Sequence, residues 1–269
     1  MILQPNESSH PVRMHGTTPF KVVVVHGGPG AAGEMAPLAI DLAADRGILE
    51  PMQTATSVAG QVKELFNAIV NHGAPPVVLI GFSWGAWLSL MVAAQYPSQV
   101  AKLILVGCGP FEEHFAASAL EARLSRLEEQ ESSDFIANLM ILSDPESNEK
   151  DAALAALGSL VAKTDAFDPM EENSDLIEYR GDIFQKVWEE AAEMRRTGEL
   201  LSLAANVRCP VVAIHGDYDP HPVEAVKTPL TAMLKNFQFI LLKNCGHKPW
   251  IERQAKDAFF RILAQELPS

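Results

Sequence analysis

Short runs of aliphatic and β-branched residues alternate with longer amphipathic stretches in two separated parts of the chain. Val22–Val25, Val77–Ile80 and Leu103–Val106 are four-residue apolar runs. That length and composition suit strands buried on both faces of a parallel sheet. Pro75 and Pro76 mark the start of the second run. Helical patterns lie between the runs, from Gly60 to Asn71 and from Trp84 to Tyr96, where Pro97 stops the helix. A weaker strand is expected at Gly47–Gln53, although Pro51 removes a ladder donor from it.

From Pro110 to Asn206 the pattern changes. Strand signals vanish, and Leu120, Leu124 and Leu127, then Phe135, Leu139 and Leu142, recur at helical spacing. Acidic runs at Glu128, Glu129 and Glu131 and at Glu189, Glu190 and Glu193 read as solvated helix faces. Strand character returns at Cys209–Ile214 and Phe237–Leu242, and a helix is expected over Ile251–Leu267. A βα layer that is interrupted and then resumed predicts the α/β class: a mostly parallel sheet flanked by helices. An all-helical cap, residues 110–206, is inserted after the third predicted core strand, and residues 1–109 and 207–269 form the core. No internal repeat or low-complexity segment interrupts this organisation.

Composition narrows the partners. The 269 residues are 48% apolar, enough for a sizeable core in a globular chain. A formal net charge of −13 argues against nucleic acid and against an anionic membrane surface as partners. No apolar run approaches the roughly 18 residues of a membrane span. The opening MILQPNESSHPVRMHG lacks the basic flank and apolar core of a secretion signal. Cys108, Cys209 and Cys245 are too few and too scattered for a disulfide framework, so a cytoplasmic protein with free thiols is expected.

Two chemistries compete for the first glycine-rich loop. Gly28-Pro29-Gly30-Ala31-Ala32-Gly33 fits G-x-G-x-x-G after a strand, with Glu50 seventeen residues after Gly33 as a possible ribose partner. Pro29, however, lacks an N–H where a phosphate cradle needs one. The same stretch contains His26-Gly27-Gly28-Pro29-Gly30, whose backbone donors suit a developing oxyanion.

Gly81-Phe82-Ser83-Trp84-Gly85 lies between a predicted strand and a predicted helix. A serine thrust out on so sharp a turn needs small neighbours, and the following helix aims its free N–H groups at whatever the hydroxyl attacks. The hydroxyl also needs a neutral base. Of eight histidines, His10 and His15 fall in the polar leader, and His72 and His114 at helix or loop edges. His215 sits in a strand as a packed core residue. His247 follows a strand in NCGHKPW, at the sheet's carboxyl end where sites collect. An acid must orient that base. Asp219 is favoured over Asp217, and the order Ser83, Asp219, His247 follows.

These motifs together resemble the α/β-hydrolase superfamily over Lys21 to Gly109 and Val207 onward. The resemblance implies that Gly28 and Trp84 donate N–H groups to an oxyanion, with His26, Gly27, Pro29 and Gly30 as the supporting loop. It selects Asp219 as the acid, three residues after the glycine that ends its strand. It requires no metal and no cofactor. The expected activity is cleavage of a small-molecule ester, thioester or amide through an acyl-enzyme on Ser83. HGGPG with tryptophan after the serine is also similar to the proline iminopeptidase branch, which would use cap carboxylates such as Glu171, Glu172 or Asp175. A non-catalytic ligand-binding protein on the same fold and an NAD(P)-binding oxidoreductase are the other readings. Two departures stand out: GILEPMQTATSV replaces the family's D-x-x-G-x-G-x-S loop, and the leader is short for the family's opening pair of strands.

Overall fold

The computed structural model describes residues 11–171 and 176–268. Seven strands form one sheet: β1 Val12–His15, β2 Phe20–Val25, β4 Gly47–Pro51, β5 Val77–Phe82, β6 Val100–Val106, β8 Val211–Gly216 and β9 Phe237–Leu242. Their order is β1-β4-β2-β5-β6-β8-β9, and every pair is parallel except β1 with β4. All of Val22–Val25 and all of β5 are buried, as apolar runs without alternation require.

Successive side chains leave a strand on opposite faces, so the same runs feed two cores. Val23, Val25, Leu79, Leu103 and Leu105 pack with helices α2 (Val58–His72) and α3 (Trp84–Gln95). Val22, Val24, Val78, Ile80 and Ile104 pack with α1 (Ala36–Leu42) and α10 (Lys256–Glu266). Helix α2 starts where Ser57 Oγ accepts the N–H of Gly60 at 3.1 Å. The chain leaves β2 toward β4 and leaves β5 toward β6, so their adjacent carboxyl ends form the switch point of the sheet.

The segment between β6 and β8 holds α4 (Ser118–Ser125), α5 (Glu129–Ser143), α6 (Lys150–Asp165), α7 (Gly181–Thr197) and α8 (Glu199–Ser202). It has a small core of its own around Phe135, Leu142, Leu154 and Leu157. One feature departs from the all-helical expectation. β3 (Ala31–Ala32) pairs antiparallel with β7 (Glu178–Tyr179), so this segment lies directly on the glycine-rich loop. Gly30 (φ +80°) and Gly33 (φ +91°) permit the approach, because a Cβ there would sit 2.2 Å from Arg180 O and 2.1 Å from Leu176 O.

Other differences have local causes. Strand β4 takes in Pro51, which ends it opposite Val12 of the edge strand β1. Helix α1 has only seven residues, and α9 (Glu224–Met233) contains Pro229, so neither carries a clear helical signal. The closing helix begins at Lys256 and not at Ile251, because Pro249–Ile251 forms a 3-10 turn. Among the described residues no helix is long and apolar enough to cross a membrane.

The turn after Pro249 puts Glu252 to structural use. Fully buried, its carboxylate accepts the N–H groups of Gly246, Phe167 and Asp168, each at 2.8 Å. His247 N–H donates to Asp165 O at 2.8 Å. The end of α6 and the residues just past it are thereby tied to the loop after β9. Replacing Glu252 by Gln leaves a buried N–H facing an amide donor, so stability should fall by about 1–3 kcal/mol. A urea melt with lower midpoint and unchanged slope is the expected result; an unchanged midpoint would contradict it.

Candidate active site

At the carboxyl end of β5 the chain passes through Ser83 with φ 51° and ψ −115° before entering α3. Ser83 and Asn244 are the two non-glycine residues of positive φ among those described. Such a conformation costs on the order of 1–3 kcal/mol and persists only where its surroundings over-determine it. Here the surroundings are backbone. A Cβ at Gly81 would lie 2.3 Å from Gly85 O, and one at Gly85 would lie 2.3 Å from Val25 O and 2.5 Å from His26 O. The turn therefore folds onto itself and presses on the end of β2. Ser83 N–H donates to Val106 O at 2.9 Å, and the residue is partly exposed.

Trp84 begins α3, and its indole Nε1 donates to Gln61 Oε1 at 3.0 Å, so its ring is held inside the core. The loop from His26 to Gly30 leaves β2, which pairs with β5 through Val25 and Gly81. Gly28 (φ +34°) and Trp84 thus sit at adjacent strand ends. His26 is fully buried, with Nδ1 2.6 Å from Gly27 O, and burial holds its pKa below the usual imidazole value. At Gly27 a Cβ would meet the Phe82 ring at 2.7 Å. Phe82 also packs on His247, 4.7 Å between ring centroids, and on Trp250 at 4.8 Å.

Asp219 follows β8 and His247 follows β9. His247 Nδ1 lies 2.7 Å from Asp219 Oδ2. Asp217, the other candidate acid, is elsewhere: Oδ1 accepts from Cys245 N–H at 3.3 Å and Oδ2 faces Lys243 Nζ at 3.5 Å. Gly107 (φ +54°), one residue after the carbonyl that receives Ser83 N–H, leaves room for the imidazole; a Cβ there would be 2.8 Å from His247 Nδ1. Ser83 and His247 are thus lodged against the consecutive residues Val106 and Gly107.

Burial acts against every charge in this cluster. It would raise the Asp219 carboxyl, but the facing His247, His215 and His221 hold the group well below the ordinary carboxylate range. Burial would also lower His247, yet Asp219, with Asp165 behind it, holds His247 above the usual imidazole value. With Nδ1–H directed at Asp219, the neutral His247 ring carries its lone pair on Nε2, the tautomer a general base needs.

Several participants carried no clear sequence signal. His221, two residues after Asp219 in DPHP, donates both N–H and Nδ1–H to Asp219 Oδ1, at 2.9 and 2.8 Å. His215 is the packed residue its strand position implies, with Nε2 2.9 Å from His221 O. Asp165, whose carbonyl receives His247 N–H, is gripped by Arg123 through Nε at 2.8 Å and a terminal nitrogen at 2.6 Å.

Asp219, His221 and His247 offer ligand atoms within 4.8 Å of one another. Their 2.7 and 2.8 Å contacts are hydrogen bonds, shorter than the about 3.3 Å between two ligands of one tetrahedral zinc. Glu50 is fully buried and bonded to His15 Nε2 at 2.8 Å, turned to the protein and not to a ribose. Glu171 is exposed, whereas Glu172 and Asp175 lie outside the described residues. A recess of about 220 Å³ opens beside the glycine-rich loop, lined by Gly30, Gln53, Arg180 and Ile183 among others, and Ser83 is not part of it.

Known proteins place this geometry in context. The model of the alpha/beta hydrolase family matches residues 22–262. Monoacylglycerol lipase ABHD6 of Mus musculus and of Homo sapiens are each 25% identical over 224 residues, covering 81% of this chain and 64% of theirs. The chain thus spans less than two thirds, 64%, of the length of these curated relatives. Among solved structures, a membrane phospholipase A described as a bacterial virulence factor aligns with TM-score 0.62 at 18% identity, over 95% of this chain and 81% of the other. Proline iminopeptidase of Mycobacterium smegmatis aligns with TM-score 0.60 at 14% identity, over 95% and 93%. These structures share the fold. With the family match running from the first central strand into the last helix, the chain belongs to the alpha/beta hydrolase family.

Proposed function

We propose that the protein is a serine hydrolase that cleaves a small carboxylic ester through an acyl-enzyme on Ser83. The observation that carries this reading is the 2.7 Å contact between His247 Nδ1 and Asp219 Oδ2, beside a serine held at φ 51°. His247 Nε2 takes the Ser83 proton as Oγ attacks the acyl carbon. The backbone N–H groups of Gly28 and Trp84 receive the oxyanion, and Asp219 stabilises the imidazolium. His247 then protonates the leaving alcohol. In the second half it activates the water that releases the acid.

The ester class is supported by the lipase relatives, and an aromatic stack joins the helical segment to α3. Phe184 and Trp188 of α7 stack at 6.1 Å, and Trp188 stacks on Trp87 of α3 at 5.9 Å. Residues 110–206 act as the cap in this reading, with residues 1–109 and 207–269 as the catalytic core.

With p-nitrophenyl butyrate as substrate, Ser83→Ala should lose turnover by about 10⁶-fold, as removal of a triad nucleophile does. A fluorophosphonate probe should label wild type on Ser83 at one equivalent and leave the variant unlabelled. Wild-type turnover in Ser83→Ala would reject the acyl-enzyme.

The pH dependence has a definite sign. The base must be neutral, and the folded protein holds His247 above its ordinary value. Activity should therefore fall as pH drops through a midpoint above about 6.5. Asp219→Asn should move that midpoint down, because the carboxylate that favours the imidazolium is gone. A kcat/KM profile with its acid limb below 6.5 in wild type would count against the assignment.

A further inference from the structure

Asp219 has a second imidazole that the proposed reaction does not use. Oδ2 receives His247 Nδ1 at 2.7 Å, while Oδ1 receives the His221 ring at 2.8 Å and the His221 backbone N–H at 2.9 Å. The two rings lie 5.0 Å apart, centroid to centroid. Behind them His215 Nε2 donates to His221 O at 2.9 Å, which fixes the backbone from which the second ring springs. His221 and His247 thus both donate into the Asp219 carboxylate, one on each oxygen, while His215 braces the backbone at His221.

The tautomers of these rings follow from their acceptors. Asp219 is ionised and can only accept, so His221 must carry its proton on Nδ1. Burial lowers the His221 pKa, so the ring is a neutral donor near pH 7. The torsion that orients a carboxylate is broad and soft. A carboxylate with one donor per oxygen can still swing. Two donors converging on Oδ1 from a single residue remove that freedom and leave Oδ2 aimed at His247.

We propose that His221 is a positioning residue: its Nδ1–H clamps Asp219 so that the other carboxylate oxygen holds His247 in register with Ser83. This rests on the hydrolase reading above. His221 acts through Asp219 and has no role in substrate binding, so its loss should lower kcat and leave KM unchanged. Small misplacements of a reacting group can cost up to about 100-fold.

The test compares His221→Asn, whose amide can present an N–H to Oδ1, with His221→Leu, which cannot. With p-nitrophenyl butyrate, His221→Leu should lose about 10- to 100-fold in kcat with KM within about twofold, and fluorophosphonate labelling should slow by the same factor. His221→Asn should recover most of that loss at a melting temperature matching the Leu variant. Wild-type kcat in His221→Leu, or equal impairment of Asn and Leu, overturns the proposal. Histidine ¹⁵N NMR on the wild-type protein provides a check that does not depend on a variant folding. Resonances of a neutral His221 protonated on Nδ1 support the clamp, and protonation on Nε2 alone overturns it. A wild type that neither hydrolyses esters nor reacts with the fluorophosphonate would reject the hydrolase reading, while the NMR result would still decide the His221 geometry.

Discussion

Backbone-to-backbone contact at the carboxyl ends of β2 and β5 is the constraint on which the rest of the site depends. Gly81 and Gly85 have no room for a Cβ, because Gly85 O faces one and the carbonyls of Val25 and His26 face the other. Close-packed interiors do not absorb such overlaps by small adjustments. The turn is therefore held on the end of β2, and Ser83 is held with it in a conformation that an isolated chain would avoid. The sheet order brings the glycine-rich loop to the same place, since β2 and β5 are neighbours at its switch point. Phe82 completes the junction by touching the imidazole of His247 and the indole of Trp250.

The helical segment is joined to this end of the sheet by hydrogen bonds. It meets the core at three places next to the site. The β3–β7 pair seats it on the glycine-rich loop. The Asp165 carbonyl receives His247 N–H, and the buried Glu252 carboxylate joins Gly246 to Phe167 and Asp168. Each joint is made through backbone groups, and the buried ones among them would cost about as much as a lost hydrogen bond if left unpaired. Arg123 and Asp165 add a bidentate ion pair behind the second joint. A shift of this segment would therefore be felt at His247 through hydrogen bonds, without any change in the sheet.

Asp219 illustrates how a buried charge is maintained. Removing a carboxylate from water is expensive unless it is paired and bonded. Here three imidazoles surround it, two in direct hydrogen bonds and one at 3.8 Å. Their influence outweighs burial for Asp219, and the return influence of Asp219 outweighs burial for His247. His221 lies on the other side of that balance, its pKa lowered by burial, which leaves one ring poised to gain a proton and its neighbour neutral.

Local sequence determined the elements and the chemistry that rides on them. Unbroken runs such as Val22–Val25 and Leu103–Val106 can only be satisfied by a sheet covered on both faces, and the structure places them there. Gly81-Phe82-Ser83-Trp84-Gly85 identified the turn because one of its constraints, Gly81 against Gly85 O, lies within those five residues. Of the two aspartates after β8, it is Asp219 that touches His247, while Asp217 bonds the Cys245 backbone. Tertiary structure alone decided the remainder. Glu252 and Asp165 act on partners up to 85 and 82 residues away, through backbone groups that carry no side-chain signature. The two-residue pairing of β3 with β7 arises from glycines yielding to another segment's carbonyls and not from any apolar pattern. Periodicity and motif spacing record what neighbouring residues demand of one another. Hydrogen bonds between distant segments are set by how the sheet and the helical segment dock, and that docking exists only in the folded chain.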